Sequence, residues 1–362
     1  MNILHTETLE KWGGQQNRVL REAVGLRQKG HKVIVACNTG SELARRAAAE
    51  ELKVYELSLI KQAYLKTVPQ LLRVIRNEQI DIVSTHSSVD SWAGGIAAKI
   101  AGRKLVRFRH NLFPIGRDPL TRLIYALPDR IVAISDTIGD ILLQYGIRQE
   151  NIAVIRSSVD ISRFNPDTGD LRDELGIPRE VIVIGNTSTF AKVKGQETLF
   201  RAFNRICAEM PCRLLFAGSA NEETKQKYLS LLDPAFRNMV IFLGHRDDIP
   251  EVLKTVDVFV YPSTLEGLGT ALLEAMAMRR PVVVSDIPTF RTFIQEGYNG
   301  SFFRSGDALD LAQRVAALTR DAELRKRLGD RARETIIRKF SHEVMIDKTE
   351  DLYRSLLDGG HR

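Results

Sequence analysis

Cysteine is scarce in this chain of 362 residues, which contains only Cys37, Cys207 and Cys212. No two of them form a CxxC pair, so neither a disulfide framework nor a zinc site built from thiolates is expected. An odd and sparse set of cysteines is typical of reduced, buried thiols and favours a cytoplasmic protein.

Long apolar runs are also missing. No uncharged apolar run reaches the roughly 18 residues that a membrane-spanning helix needs. The N-terminal residues enter a predicted strand at once, without a basic stretch followed by an apolar one, so a secretory signal is not expected. A chain of this length, with 44% hydrophobic and 27% charged residues, is predicted to be a globular protein of two domains.

Several short motifs of ligand-binding proteins do not occur. The dinucleotide fingerprint GxGxxG and the phosphate-binding loop GxxxxGK(S/T) are absent. The nucleotide-binding sites that these two motifs form are therefore not expected. No helix-turn-helix, zinc finger or aromatic-rich RNA-binding motif is recognisable, so nucleic acid is not a predicted partner.

Positive charge is present in excess, and its distribution is uneven. The net charge is +7; residues 1–165 hold 24 Lys and Arg against 16 Asp and Glu, whereas the remainder holds 28 against 29. The basic excess therefore lies in the first half of the chain, where it favours an acidic acceptor or an anionic surface as partner. A generally solvated basic surface is the alternative.

The order of predicted elements indicates an α/β fold. Short apolar runs alternate with helical periodicity, as in a doubly wound parallel sheet, and the pattern restarts after a non-periodic stretch at 157–165. Two Rossmann-like units are predicted, at 1–165 and 170–340, followed by a last helix at about 341–358. Strands are predicted at 2–4, 33–37, 82–85, 105–109, 131–134, 152–155, 181–185, 213–217, 240–243, 256–261 and 281–285, and the other helices at 17–29, 68–77, 93–101, 195–210, 224–231, 249–255, 270–278 and 308–319.

One segment of the second unit predicts a ligand site. Residues 256–261 have the pattern of a buried parallel strand, and Gly267 and Gly269 form a turn that lets the backbone approach a ligand. A helix follows at 270–278, with Thr270 as its expected cap. A helix N-terminus at the carboxyl end of a parallel strand is an anion-binding site in open α/β sheets.

Two carboxylates flank this predicted anion site, Glu266 in the turn and Glu274 about one turn into the helix. Carboxylates beside a bound phosphate are explained if the ligand also carries hydroxyl groups, which donate to carboxylates. The ligand that this indicates is a phosphate flanked by sugars. A glycosidase pair is the other interpretation, although such carboxylates usually face each other across a substrate from different elements.

The spacing of Glu266 and Glu274 around the glycines resembles the Glu-x7-Glu motif of the retaining nucleotide-sugar glycosyltransferases of family 4, of the lipopolysaccharide and polysaccharide type, and the resemblance extends over nearly the whole chain. It implies the GT-B fold, an α/β fold with two doubly wound Rossmann-like domains and a deep interdomain cleft. By the same resemblance the first domain binds the acceptor, the second binds the nucleotide sugar, and the terminal helix packs back on the first domain.

The resemblance implies roles for the residues of the turn. Glu266 is implied to contact hydroxyls of the donor sugar, and Glu274 to hold the ribose hydroxyls. The residues implied to bind the diphosphate, chiefly through backbone N–H groups at the helix start, are Gly267, Leu268, Gly269 and Thr270.

Three further places carry predicted site residues. Gly13 and Gly14 follow the first strand and allow close approach of a phosphate or sugar. His86 and His110 end successive predicted strands, where ligand groups cluster; the resemblance implies that His110 lies near the reacting face of the sugar and that His86 shapes the acceptor side. Lys194 precedes a helix, and the resemblance implies that it holds the leaving diphosphate.

The implied reaction needs neither metal nor cofactor, since the nucleotide-diphosphate sugar is itself a substrate. Preorganised donors such as Lys194 and the turn N–H groups would stabilise the charge that develops on the leaving diphosphate. No Asp-x-Asp triplet of the kind used by metal-dependent transferases is present. The family retains the anomeric configuration, with the leaving phosphate accepting the proton of the acceptor.

One departure from the family pattern opens alternatives. Thr189 stands five residues before Lys194, where the family usually carries an arginine, and this change weakens charge neutralisation. An inactive nucleotide-sugar-binding partner is therefore one alternative, and a GT-B nucleotide-sugar 2-epimerase is another. The spacing of the two glutamates favours the transferase over the epimerase, and turnover in the presence of an acceptor would distinguish the transferase from the inactive partner.

The basic first domain indicates where such an enzyme works. We expect a cytoplasmic protein, peripheral on the anionic cytoplasmic face of the inner membrane. Its acceptor would be a glycan or a lipid-linked glycan, in the biosynthesis of lipopolysaccharide or another cell-surface polysaccharide. The residues predicted to form the basic surface are Lys61, Lys66, Arg73, Arg76, Arg103, Lys104, Arg107 and Arg109.

Overall fold

The computed structural model describes residues 1–359, except for the side chain of Lys61. The chain divides into two compact units: Met1–Ser158 with the segment from His342 onward, and Val159–Ser341. The division lies a few residues before the predicted change at 165–170, because Val159 already forms a parallel bridge with Ser341 within the second unit.

The first unit is a seven-stranded parallel sheet with helices. Its strands are β1 Asn2–Glu7, β2 Lys32–Asn38, β3 Lys53–Leu57, β4 Ile82–Thr85, β5 Lys104–Arg109, β6 Arg130–Ala133 and β7 Ile152–Val154. Its helices are α1 Gly14–Gln28, α2 Glu42–Ala49, α3 Tyr64–Asn77, α4 Ser88–Ile100, α5 Pro119–Ala126 and α6 Asp136–Tyr145, together with α14 His342–Asp358 at the end of the chain. The strand order β3-β2-β1-β4-β5-β6-β7 makes β1 and β4 neighbours at the point where the order reverses, which is the ligand-binding position in such sheets.

The second unit is a six-stranded parallel sheet in the order β10-β9-β8-β11-β12-β13. Its strands are β8 Ile182–Asn186, β9 Cys212–Ala217, β10 Val240–Gly244, β11 Val258–Tyr261, β12 Val282–Ser285 and β13 Ser301–Phe303. Its helices are α7 Gln196–Glu209, α8 Glu222–Leu229, α9 Ile249–Thr255, α10 Thr270–Ala277, α11 Pro288–Arg291, α12 Ala308–Arg320 and α13 Ala322–Phe340. Here β8 and β11 meet where the order reverses.

The last helix, α14, packs against α1 within the first unit. Gly25 of α1 lies so close to Ile346 that an added Cβ would stand 1.9 Å from its Cδ1. Tyr353 of α14 is fully buried, with its hydroxyl 2.5 Å from Ser84 Oγ and 3.2 Å from Glu22 Oε1. Close packing and buried polar contacts therefore hold the end of the chain on the first sheet.

The predicted α/β class with two doubly wound sheets is confirmed, but the sequence pattern missed several elements. Strands β3 and β13 were not predicted, nor were helices α2, α5, α6, α11 and α13. The longest of these, α13, is rich in charged residues, so its apolar stripe is narrow: Leu328, Ala332, Ile336 and Phe340 supply its buried apolar side chains. A narrow stripe gives little helical periodicity in hydrophobicity.

The predicted strand at 256–261 begins later, at Val258. Val256 follows α9 directly, and the Asp257 carboxylate accepts hydrogen bonds from the Val183 N–H at 2.8 Å and from the Arg172 guanidinium at 2.6 Å. The acidic residue in this apolar run thus ties the strand entrance to its neighbours. Within residues 1–359, no helix is both long and apolar enough to cross a membrane.

Candidate active site

Two loops of the second unit bring Lys194 and Glu266 into contact. Lys194 Nζ lies 2.7 Å from Glu266 Oε1 and 3.3 Å from the hydroxyl of Tyr261. Lys194 ends a short 3-10 turn before α7, and Glu266, 9% exposed, lies in the turn after β11. In this arrangement the ammonium and the carboxylate neutralise each other.

The two loops touch through their backbones. Gly195 has a φ of +66°, and an added Cβ would stand 2.0 Å from the carbonyl oxygen of Pro262. The N–H of Thr264 donates to the carbonyl of Val193 at 2.8 Å. Glycine is therefore required after Lys194 both by conformation and by space, and this contact sets the Lys194 loop beside the Glu266 turn.

Helix α10 starts without a side-chain cap. Its N-cap is Gly269, at φ +86°, and Thr270 is the exposed first helical residue, so the prediction that Thr270 caps the helix is wrong. An added Cβ on Gly269 would lie 3.2 Å from the rings of Phe290 and Tyr261. The first N–H groups of a helix have no partner within it and carry its positive dipole end, so the start of α10 has the character of an anion site.

The neighbouring turn residues differ in what they expose. The side chain of Leu268 is buried in the core of the second unit, so only its backbone is available to a ligand. Gly267 is partly buried. Leu268 thus anchors the turn between Gly267 and the buried Gly269.

Glu274 lies one turn into α10 and is partly buried. Burial raises its pKa to about 7, and the positive charge of Arg163 offsets part of that effect. Arg163 is itself held by a hydrogen bond of 2.8 Å to the carbonyl of Asp247. Hydrogen bonds from hydroxyl donors would favour the ionised form of this carboxyl group and so oppose the effect of burial.

Thr189, which stands where the family usually carries an arginine, has an exposed side chain in the loop after β8. Its backbone carbonyl accepts a hydrogen bond of 2.8 Å from the buried Gln196 amide, which fixes the loop between β8 and α7. Lys192, two residues before Lys194, is also exposed. The loop therefore carries a second cation, although not at the position of Thr189.

In the first unit, Gly13 is the N-cap of α1 and Gly14 is its first residue. Neither has a positive φ. An added Cβ at Gly14 would meet nothing within 4 Å, and one at Gly13 would lie 3.2 Å from Gln16 Oε1. The fold itself does not require glycine at Gly14, so the open space in front of it is available to a ligand.

The predicted histidines lie side by side at the carboxyl edge of the first sheet, and a third joins them. His5 Nδ1 lies 3.0 Å from His86 Nε2, and His86 Nδ1 lies 3.1 Å from His110 Nε2. The ring of Phe108 stacks on His86, with centroids 4.6 Å apart. Sequence reasoning missed His5, because the pairing of β1 with β4 that brings it to His86 is not visible in the spacing of residues.

All three imidazoles are held neutral. Burial, with a smaller contribution from Arg18, lowers the pKa of His5 to about 3. Burial is also the main cause that lowers the pKa values of His86 and His110 well below the ordinary value. Both ring nitrogens of His86 are engaged by the neighbouring histidines, so a ligand would have to break one of these bonds to reach them.

A capping box at the start of α4 fixes the loop that carries His86. The Ser87 side chain caps the helix, and the Asp90 carboxylate accepts from the backbone N–H groups of His86 at 2.7 Å and Ser87 at 2.6 Å. Asp90 also accepts from Thr6 Oγ1 at 2.7 Å. Burial raises the pKa of Asp90, while these hydrogen bonds oppose the rise.

A cleft of about 500 Å³ opens beside the histidines in the first unit, and buried arginines line it. Arg107 lies over the ring of Tyr125 at 4.0 Å, and Arg109 donates to the Tyr125 hydroxyl at 2.5 Å and to the carbonyl of Phe113. The prediction that Arg107 and Arg109 belong to an exposed basic surface is wrong. They are buried and bonded to neutral groups in the cleft wall.

The remaining basic residues of that prediction lie elsewhere on the first unit. Lys66, Arg73, Arg76 and Arg103 are exposed, and Lys104 is partly buried. The side chain of Lys61 lies outside the described residues. Residues 1–359 contain no group of three or more His, Cys, Asp or Glu side chains that could hold a metal ion.

Comparison with known proteins gives matches along both units. The family model for Glycosyltransferase Family 4 matches residues 12–163, and that for Glycosyl transferases group 1 matches residues 167–335. The UDP-Gal:alpha-D-GlcNAc-diphosphoundecaprenol alpha-1,3-galactosyltransferase of Escherichia coli is 25% identical over 98% of this chain and 96% of its own. The N-acetyl-alpha-D-glucosaminyl L-malate synthase of Bacillus anthracis is 26% identical over 81% of this chain and 79% of its own.

Solved structures share the fold. A glycosyltransferase of Rickettsia africae superposes with a TM-score of 0.89 at 22% identity, covering 98% of both chains. HepE of Anabaena, in complex with UDP, superposes with a TM-score of 0.84 at 22% identity, covering 98% of this chain and 100% of its own. With the two family models together spanning nearly all of the chain, the protein belongs to the family-4 type of GT-B glycosyltransferases.

Proposed function

We propose that this glycosyltransferase moves a sugar, with retention of configuration and without a metal ion, from a nucleotide-diphosphate sugar to a glycan or lipid-linked acceptor. The pathway that we propose is the biosynthesis of lipopolysaccharide or another cell-surface polysaccharide. The observation that carries the proposal is the grouping of Lys194, Glu266 and Glu274 around the start of α10.

Each part of a nucleotide sugar has a matching group in the second unit. The start of α10 and Lys194 suit the diphosphate, since both offer positive charge and N–H donors. Glu266 suits the hydroxyls of the sugar, and Glu274 those of the ribose, because carboxylates accept strongly from hydroxyls. We propose uridine diphosphate sugars as the donor class, which the names of the Escherichia coli relative and of the Anabaena complex support.

We propose an anionic group on the acceptor. Arg107 and Arg109 are buried in the cleft wall of the first unit, where the hydrogen bonds that they make with residues 1–359 go to neutral groups. Asp90 acts on Arg107 through its charge but does not hydrogen-bond to it. A buried guanidinium that is not hydrogen-bonded to an acid is costly, and a phosphate, diphosphate or carboxylate of the acceptor would supply that bond. The Escherichia coli relative is named for a diphosphoundecaprenol-linked acceptor.

We propose that the segment 113–123 rests on an anionic membrane. It exposes Phe113 (75%), Leu120 (65%) and Leu123 (51%), with the exposed Arg117 and Arg122 among them. Apolar side chains that enter the interface and arginines that meet anionic headgroups are the two requirements of such binding. In liposome flotation, the protein should bind anionic vesicles, and the double substitution Leu120→Ser with Leu123→Ser should abolish this binding. Equal binding to neutral and anionic vesicles would contradict the proposed membrane contact.

A donor screen tests the central proposal. Purified protein would be incubated with nucleotide sugars in EDTA, following thermal shift and nucleotide release, for wild type and Glu274→Ala. The matched control is Glu223→Ala, which removes an exposed carboxylate on α8. We expect one donor to stabilise both the wild type and the control, and both proteins to hydrolyse it slowly. Glu274→Ala should show neither the stabilisation nor the hydrolysis.

Other outcomes are equally informative. Binding without turnover, even with lipid-linked acceptors present, would favour the inactive partner suggested by Thr189. Failure of every nucleotide sugar to bind would contradict the proposed donor site. Dependence of turnover on added magnesium or manganese would contradict metal independence.

A further inference from the structure

The three histidines of the first unit form a chain whose direction has chemical consequences. A neutral imidazole has one N–H and one lone pair, so each His–His hydrogen bond must be donated by one ring and accepted by the other. His86 stands between His5 and His110 and can donate to only one of them. The two bonds therefore run the same way along the chain, in one of two directions.

The surroundings of His5 distinguish the two directions. Its second nitrogen, Nε2, is buried and has no hydrogen-bond partner among residues 1–359. If the chain ran from His110 towards His5, His5 Nε2 would carry a buried N–H without an acceptor. In the opposite direction the same nitrogen carries a lone pair instead, and buried N–H groups left without a partner are the rarer of the two in proteins.

We propose that His5 sets the direction of this chain, with His5 and His86 each donating from Nδ1, so that His110 presents an N–H rather than a lone pair to the cleft. His110 lines the cleft, and its Nδ1 has no hydrogen-bond partner within residues 1–359. The ligand group that it meets is accordingly an oxygen acceptor: a hydroxyl, phosphate or carboxylate oxygen. His5 is a positioning residue, buried and one ring removed from the cleft.

This direction also constrains the chemistry of His110. A base must offer a lone pair to the proton that it removes, and the lone pair of His110, on Nε2, is occupied by His86. His110 therefore binds and orients a ligand oxygen and does not deprotonate the acceptor. A proton on His86 would leave the N–H on His110 Nδ1 in place, because His86 would then donate to both neighbours. Burial is the main cause that opposes such a proton, and the positive charge of Arg18 adds to it.

The tautomers can be measured directly in the ligand-free full-length protein. Two-bond proton–nitrogen correlation spectra of the 15N-labelled imidazoles distinguish Nδ1–H from Nε2–H, and the sequence contains seven histidines. We expect His86 and His110 to be neutral with the proton on Nδ1. An Nε2–H tautomer of His110 would overturn the proposal whatever the donor or acceptor is.

Two substitutions that have the same shape as each other, His5→Asn and His5→Asp, test the role of His5. Asn at this position can still donate to His86, so His5→Asn should keep the Nδ1–H tautomer of His110. Asp can only accept, so His5→Asp should reverse the chain and move the proton of His110 to Nε2. We expect His5→Asp to lose at least about tenfold more turnover than His5→Asn with the donor found in the screen. The same spectra show whether His86 stays neutral beside the new carboxylate, and equal His110 tautomers in the two folded variants with a neutral His86 would overturn the role of His5.

Discussion

Lys194 and Glu266 are 72 residues apart in the chain, yet their Nζ and Oε1 atoms lie 2.7 Å apart in the second unit. The pair is partly shielded from water, with side-chain exposures of 22% and 10%. A diphosphate that binds there gains the lysine but also meets the carboxylate. We therefore expect Glu266 to lower the affinity for the nucleotide, and its presence is explained if it contacts the transferred sugar.

Substitution of Glu266 should separate nucleotide binding from transfer. Glu266→Gln removes the negative charge and frees Lys194, so we expect UDP to bind about threefold to tenfold more tightly, measured by calorimetry. Turnover should fall by about 100-fold or more, because the sugar hydroxyls lose their acceptor. Lys194→Gln is the matched change and should weaken UDP binding; weaker binding in Glu266→Gln would contradict this account.

Two glycines at helix starts, Gly195 before α7 and Gly14 as the first residue of α1, should respond differently to alanine. Gly195→Ala places a Cβ against the Pro262 carbonyl at a positive φ, so we expect a loss of about 2–4 kcal/mol in the free energy of unfolding. Gly14→Ala meets open space at the first residue of α1 and should leave stability unchanged within about 0.5 kcal/mol. Urea denaturation measures both, and a stable Gly195→Ala variant would contradict the packing of the two loops.

Glu274 should make stability depend on pH. Its pKa is raised from 4.5 to about 7 in the folded protein, so the folded state holds a proton that the unfolded state releases between these values. Stability from this group is present below pH 4.5 and is lost as the pH rises through 7. We expect the stabilisation by Glu274→Gln to be about 2 kcal/mol larger at pH 8 than at pH 5, measured by denaturant titration. A difference that does not change with pH would contradict a partly buried carboxyl group with a raised pKa.

Asp90 should matter for stability more than an ordinary helix cap. Asp90→Ala leaves the N–H groups of His86 and Ser87 and the Thr6 hydroxyl without their acceptor, so we expect a loss of about 2–4 kcal/mol. Asp118→Ala, which removes an exposed cap from α5, is the control and should cost clearly less. Thermal or urea unfolding compares them, and equal losses would mean that the buried network adds nothing.

The sequence reveals those site residues that lie close together in the chain or at the ends of predicted strands. Glu266 and Glu274 were found from their spacing in one short segment, because a strand, a glycine turn and a helix start are adjacent in the chain and their geometry is local. His86 and His110 were found as strand ends. His5 was missed because its relation to them depends on β1 and β4 being neighbours, which residue spacing does not show.

The elements that the sequence failed to predict share a physical cause. Strand β3 includes Lys53 and Glu56, and α13 is dominated by charged side chains. Both bury only part of their surface, so the contrast between apolar and polar positions is weak. Arg107 and Arg109 were misplaced for a related reason, since charge predicts exposure on average, whereas these two guanidinium groups find neutral partners inside a cleft.

The sequence by itself determined the α/β class, the two-unit organisation and the turn with its two glutamates, because alternating apolar runs and glycine placement act over a few residues. The tertiary structure decided which groups meet: the Lys194–Glu266 pair, the histidine chain and the buried arginines. Strand order and loop contacts bring these side chains together from distant parts of the chain. In the histidine chain, burial then keeps the three imidazoles neutral, because removing water penalises the charged form of the ring.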